Sequence, residues 1–187
     1  MSEEMTIALL GQPNAGKSTL FNSLTGLRQH VGNWPGKTVE KKEGSFTYDG
    51  KTYILADLPG SYSLSANSEE EVITRDFIAS GKADVVCILA DSSQLERSLF
   101  MTADYAGITV PCFLILNMED VAVDQGKKID VSLIEERLGI PVIWFSAADK
   151  KEYGAFYEAM ERAISNKTTL KTEALEELYG KIDGYDE

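Results

Sequence analysis

Short apolar runs recur along the chain, at Ile7–Leu10 within a strand over Thr6–Leu10, and at Val85–Ala90, Cys112–Leu116 and Val142–Phe145. They are apolar throughout rather than at alternate positions, which predicts strands buried on both faces. Between them the apolar positions fall at helical spacing. Leu20, Leu24 and Leu27 mark a helix over Lys17–Thr25, with Gly26 where a left-handed cap is common. Val72, Ile73 and Phe77 mark a second helix, and Leu95, Leu99 and Ala103 a third that ends near Gly107. Ser68 with Glu71 and Ser93 with Glu96 have the spacing of capping boxes at the starts of these two. Ser132–Leu138 is a short helix stopped by Gly139 and Pro141, and Phe156, Met160 and Ile164 mark a fifth helix.

One pair of strands departs from this alternation. Glu43–Tyr48 and Lys51–Asp57 are separated by Asp49-Gly50, a turn whose two central positions need positive φ, so the pair forms a hairpin. The stretch Gln29–Thr38 holds two glycines and a proline without periodicity and reads as a loop. The predicted fold is therefore α/β. It has a six-stranded, mostly parallel sheet with one antiparallel edge strand, and helices on both faces.

Composition narrows the function. At 187 residues the chain suits one well-buried domain with a short appendage. Its net charge of -12 argues against non-specific nucleic-acid binding, which needs phosphates neutralised by Lys and Arg. Cys87 and Cys112 lie inside apolar runs and read as small buried hydrophobes in a reducing compartment, not as a disulfide or a metal pair. His30 is the only histidine, which excludes a multi-histidine metal site. No apolar run is long enough to cross a bilayer, and Met1-Ser2-Glu3-Glu4 has no secretory pattern. A soluble, cytoplasmic chain is expected. After Asn166 an acidic stretch carries Leu175, Leu178 and Ile182 without an evident apolar partner. Residues 1–166 are expected to form the main domain and residues 167–187 a tail.

The candidate chemistry starts at Gly11-Gln12-Pro13-Asn14-Ala15-Gly16-Lys17-Ser18, between the first strand and the first helix. This is the spacing of a phosphate-binding loop. Gly11 and Gly16 let the backbone turn tightly around a phosphate chain. The amides at the helix start, through Thr19, point at an anion that the helix dipole also favours. Lys17 reaches the outer phosphates and the Ser18 hydroxyl ligates a phosphate-bound Mg²⁺. A plain glycine turn beside an exposed lysine is the simpler alternative, and the complete spacing with both flanking elements disfavours it.

Further pieces lie downstream of this loop. Asp57-Leu58-Pro59-Gly60 ends a strand. Asp57 can hold Mg²⁺ through a water, and the Gly60 amide can bind a γ-phosphate. Alone this would be an ordinary strand-to-turn ending; its place downstream of the phosphate loop gives it the functional reading. Asn117-Met118-Glu119-Asp120 follows an apolar strand and resembles the Asn-Lys-x-Asp base motif of GTPases. Asp120 can accept from the N1–H and the exocyclic amine of guanine, a donor pair that adenine lacks. Met118 replaces the usual lysine and supplies an apolar contact without the charge, so adequate specificity with weaker affinity is expected. Ser146-Ala147-Ala148 resembles the Ser-Ala-Lys motif, whose backbone amide meets guanine O6. The lysine is absent, and Lys150 and Lys151 are out of register. Thr38 is the candidate switch threonine, able to bind Mg²⁺ and to sense the γ-phosphate. Trp34, in the same loop, is either a lid or a packing residue. Glu69, Glu70 and Glu71 are read as helix-start acids, not as a general base.

With these motifs and the stretch Val31-Gly32-Asn33-Trp34-Pro35-Gly36-Lys37-Thr38-Val39-Glu40, the chain resembles the N-terminal G domain of the FeoB family of bacterial ferrous iron transporters. The nucleotide motifs are common to many GTPases; the Val-Gly-Asn-Trp-Pro-Gly stretch is far more specific. The resemblance covers about residues 5–165 and implies a Ras-like P-loop fold. It implies a cytoplasmic domain of a bacterial inner-membrane protein, joined to a membrane permease, with any oligomer formed through the parent transporter. The tail from Lys167 would be the start of a helical domain. GTP and GDP, Mg²⁺ and K⁺ are the implied ligands. Asn14, matching the phosphate-loop asparagine of potassium-activated GTPases, would help hold K⁺, and Asn14, Lys17, Thr38 and Gly60 would carry a slow hydrolysis. The glutamine that many GTPases place after the Asp-x-x-Gly glycine is replaced here by Ser61. Two other readings remain: a ribosome- or RNA-associated assembly GTPase, and a nucleotide-binding scaffold that does not hydrolyse.

Overall fold

The computed structural model describes residues 4–11, 16–59, 68–91, 110–117, 130–145 and 153–171. Seven strands form one sheet: β1 (Glu4–Gly11), β2 (Gln29–Asn33), β3 (Glu40–Tyr48), β4 (Lys51–Asp57), β5 (Val85–Asp91), β6 (Cys112–Asn117) and β7 (Val142–Trp144). Their order is β2-β3-β4-β1-β5-β6-β7. The described helices are α1 (Lys17–Thr25), α2 (Glu69–Ala79), α3 (Val131–Leu138) and α4 (Tyr153–Asn166). The helix expected from Ser93 to Gly107 lies outside the described residues, as does the tail after Lys171.

The apolar runs are buried on both faces for a simple geometric reason. Successive side chains of a strand point to opposite sides. Ile7 and Leu9 therefore join one core with Leu20 and Phe21 of α1 and Phe156 and Met160 of α4. Ala8 and Leu10 join the other core with Ile73 and Phe77 of α2 and Leu138 of α3. Every residue of β5 and β6 is buried. Burial lifts the thiol pKa of Cys112 to about 12 and that of Cys87 well above its ordinary value, so both stay protonated and inert at neutral pH.

The hairpin forms as its turn residues require. Asp49 and Gly50 both have positive φ, at 49° and 74°, and Tyr48 pairs with Lys51. β3 is antiparallel to β4 and to β2, while the other described ladders are parallel. So one strand runs against the rest, as expected, but β2 lies outside it and the sheet has seven strands instead of six.

That seventh strand, β2, departs from the sequence pattern. Gln29–Asn33 was expected to be loop; it pairs backbone to backbone with β3, Gln29 opposite Gly44 through Asn33 opposite Glu40. All five residues are exposed. A ladder that buries no side chain leaves no periodicity to read. Gly44 allows the ladder to pass the end of α1, because a Cβ there would collide with the Thr25 side chain and approach Arg28 O to 3.0 Å. Beyond β2 the chain makes a tight turn in which Lys37 N donates to Trp34 O at 2.9 Å. Pro35 and Gly36 fill the two central positions, and Gly36 has φ 69°.

Two local signals were only half right. Ser68 does cap α2, its Oγ accepting from Glu71 N at 3.2 Å. The Glu71 carboxylate, however, pairs with Arg75 at 3.0 Å instead of turning back to the cap. α3 starts one residue earlier than expected and is capped by Asp130, whose Oδ1 accepts from Leu133 N at 3.1 Å. Past α4 the chain stays on the body: Cys112 N donates to Thr168 O at 2.8 Å, and Leu170 is buried beside Leu138. Among the described residues no helix is long and apolar enough to cross a membrane.

Candidate functional site

β4, β1, β5, β6 and β7 are mutually parallel, so their carboxyl ends share one edge of the sheet. In register, Leu9 lies beside Asp57, Gly11 beside Leu89, and Asp91 beside Asn117. The chain leaves β1 for β4 on one side and reaches β5 on the other. The order reverses at β1, and the crevice beyond such a point is where open α/β sheets bind ligands.

The phosphate loop leaves this crevice. Gly11 has no room for a side chain, since a Cβ would stand 2.7 Å from Leu89 O. Gly16 has φ 91° and ψ 15°, the left-handed region, and initiates α1. No side chain caps α1. Its first amides, next to the exposed Ser18 and Thr19, thus form an anion-binding helix start. A methyl group on Gly16 would also collide with Asn117 Nδ2. Asn117, at the tip of β6 and 8% exposed, therefore packs directly on the phosphate loop.

Lys17 points inward from the first turn of α1. It is 5% exposed. Its Nζ donates to Leu58 O at 2.5 Å and lies 2.9 Å from Asp57 Oδ1. The second contact is an ion pair without hydrogen-bond geometry, and Asp57 Oδ1 is buried with no hydrogen-bond partner. A buried carboxylate oxygen left in this state is an acceptor suited to the water of a hydrated cation. Of the residues singled out from the sequence, Gly11, Gly16, Lys17, Ser18, Asp57 and Asn117 come together at this edge. Thr38 is exposed and is engaged elsewhere: its Oγ1 lies 3.4 Å from Glu69 Oε2. Gln12, Pro13, Asn14, Ala15, Gly60, Met118, Asp120, Ser146, Ala147 and Ala148 lie outside the described residues.

Trp34 packs. It is 7% exposed, stands edge-on to Phe77 of α2 with ring centroids 5.6 Å apart, and carries Lys41 Nζ 4.9 Å above its ring. Two contributors escaped the sequence reading. The Leu58 carbonyl leaves no signal, because any residue supplies one. Asp91 does leave one: an aspartate closing an apolar run, as Asp57 does, and it is 5% exposed beside Asn117.

Residues 5–160 match the family described as ferrous iron transport protein B. The chain belongs to that family. It is similar to the Fe(2+) transporter FeoB of Salmonella typhimurium, 44% identical over 168 residues, and to that of Escherichia coli K12, 40% identical over 185 residues. It spans 22% and 24% of the length of these two relatives, and 88% and 97% of the chain is covered. Among solved structures it is similar to the isolated G domain of T. maritima FeoB. The TM-score is 0.77 at 42% identity, covering 86% of this chain and 99% of that one. The cytosolic domain of the same transporter in its GMPPNP form gives a TM-score of 0.79 at 42% identity, over 89% of this chain and 66% of that one. This is thus a FeoB N-terminal G domain with the P-loop GTPase fold.

The packing of Asn117 on Gly16 makes a direct prediction for this FeoB domain. Gly16→Ala forces a methyl group against Asn117 and strains a left-handed residue. It should keep native circular dichroism and bind labelled GDP at least about tenfold more weakly, a loss of ~1.4 kcal/mol. Undiminished binding in a fluorescence titration would contradict this role for the contact.

Proposed function

We propose that this G domain binds GTP with Mg²⁺, hydrolyses it slowly with the help of K⁺, and thereby controls ferrous iron passage through a membrane part of its parent protein. The observation that carries the reading is the buried Lys17 ammonium facing Asp57 at the start of α1. A cation, a helix N-terminus and a strand-end carboxylate converge on one crevice, which is what a phosphate chain with its metal requires.

In this reading the α1 amides and Lys17 hold the phosphates. The Ser18 hydroxyl and Asp57, through water, hold Mg²⁺, with Thr38 as a further ligand. Bound there, Mg²⁺ neutralises charge on the phosphate oxygens. Asp120 selects guanine, Met118 packs on the base, and the backbone of Ser146, Ala147 and Ala148 faces guanine O6. The rest of the loop, Gln12, Pro13, Ala15 and Thr19, shapes the cradle. The Gly60 amide meets the γ-phosphate. Asn14 is assigned to K⁺ on the family resemblance, together with Ser61 standing where a catalytic glutamine is common.

Three measurements test this. Single-turnover phosphate release should be faster in KCl than in NaCl, and Asn14→Ala should remove that difference; equal rates in both salts count against the cation role. No release in either salt favours the scaffold reading. Asp120→Asn should weaken GTP about a hundredfold or more by leaving the guanine donors mispaired, and unchanged affinity rejects that residue as the base reader. In the full-length protein, Lys17→Ala should abolish ferrous iron uptake by cells that depend on it, at unchanged membrane abundance. Wild-type uptake by that variant would separate transport from nucleotide binding.

A further inference from the structure

In this conformation the Thr38 hydroxyl is already committed. Its Oγ1 donates to Glu69 Oε2 over 3.4 Å, between residues 31 positions apart. Glu69 is the first residue of α2. The loop that carries Thr38 touches the same helix at a second point, where Trp34 is wedged against Phe77 with an interplanar angle of 78°. Backbone bonds tie the two points together: Trp34 N donates to Val39 O at 3.0 Å, and Lys37 N to Trp34 O at 2.9 Å. Thr38 thus sits in a closed loop clamped to α2.

The clamp is built to be left. Trp34 Nε1 is buried with no acceptor, so the ring is seated with one hydrogen bond unmade. β2, which leads into the loop, has all five residues exposed, so lifting the arm uncovers none of its side chains. The Thr38–Glu69 bond is long and joins groups in contact with solvent, so it is weak enough to be exchanged.

We propose that Glu69 sets how strongly this domain prefers a nucleoside triphosphate over a diphosphate, by competing for the Thr38 hydroxyl. The proposal rests on the assignment of Thr38 to the Mg²⁺ and γ-phosphate. A diphosphate leaves Thr38 on Glu69. A triphosphate with Mg²⁺ engages Thr38 only after that bond is broken, so Glu69 opposes the triphosphate alone. Glu69 acts here as a positioning residue, through Thr38 and not on the nucleotide itself.

The test is a double-mutant cycle. Affinities for Mg²⁺-GMPPNP and for GDP are measured by fluorescence titration in the wild type, Glu69→Ala, Thr38→Ala and the double variant. The cap of α2 is Ser68, which none of the variants replaces, and thermal melts check the fold. Glu69→Ala should tighten GMPPNP binding about three- to tenfold and leave GDP within about twofold. In the Thr38→Ala background the gain should vanish. An equal gain for both nucleotides, or one that persists without the Thr38 hydroxyl, means that Glu69 acts only through its charge and overturns the proposal. So does an unchanged GMPPNP affinity in Glu69→Ala. If Thr38→Ala alone leaves GMPPNP affinity intact, the assignment of Thr38 to the metal falls, and the competition with it. If Thr38→Ala weakens GMPPNP and Glu69→Ala does nothing, the assignment stands and only the competition is lost.

Discussion

The site depends on holding one ammonium group almost out of water. Removing a charge of this kind from solvent is unfavourable by several kcal/mol unless partners replace the lost hydration. For Lys17 the partners are the Asp57 carboxylate and the Leu58 carbonyl, both at the end of β4. The charge is therefore tolerated only because β4 lies beside β1, and β4 is brought there antiparallel to β3 through the Asp49-Gly50 turn. The same arrangement makes the crevice receptive to anions. A phosphate oxygen can take the place of the Leu58 carbonyl on the ammonium, and the exposed start of α1 adds its dipole.

Around that charge the two apolar cores have different roles. The core under α1 and α4 is dense in aromatic rings: Phe113, Phe145, Tyr153 and Phe156 meet edge-on or tilted, while Tyr48 stacks on Tyr157 at 4.2 Å. It fixes α1, and with it Lys17, on the sheet. The core under α2 and α3 includes Trp34, a residue of the arm that precedes the Thr38 segment. One face thus anchors α1, and the other receives the arm that carries Trp34.

The stretch Val31-Gly32-Asn33-Trp34-Pro35-Gly36 gains a physical meaning from this. Val31, Gly32 and Asn33 belong to an exposed strand, Trp34 is the wedge, and Pro35-Gly36 makes the turn that returns the chain toward β3. Each residue type suits its place: a ring to fill the core, a proline with fixed φ, and a glycine for positive φ. What singles this stretch out in the sequence is thus an arm that pairs by its backbone and docks by one side chain.

Much of the fold was legible in the residues alone. Apolar runs too continuous for a one-sided sheet required burial on both faces, and Asp49-Gly50 required a hairpin. Gly11 to Ser18 between a strand and a helix required a phosphate loop. These are local facts, fixed by φ/ψ limits and by side-chain period. Other features left no such trace. β2 buries no side chain, so no pattern marked it. The partner of Asp57 depends on which elements lie side by side, and spacing along the chain does not say which of two acceptors a lysine meets. Trp34 could be lid or core until α2 placed Phe77 beneath it. The sequence by itself determined the strands that bury side chains, the hairpin turn and the glycine spacing of the loop. Only the tertiary structure decided that the ammonium of Lys17 rests on Asp57, and that Thr38 rests on Glu69, because those contacts join residues 40 and 31 positions apart, which meet only through the packing of helices and loop against the sheet.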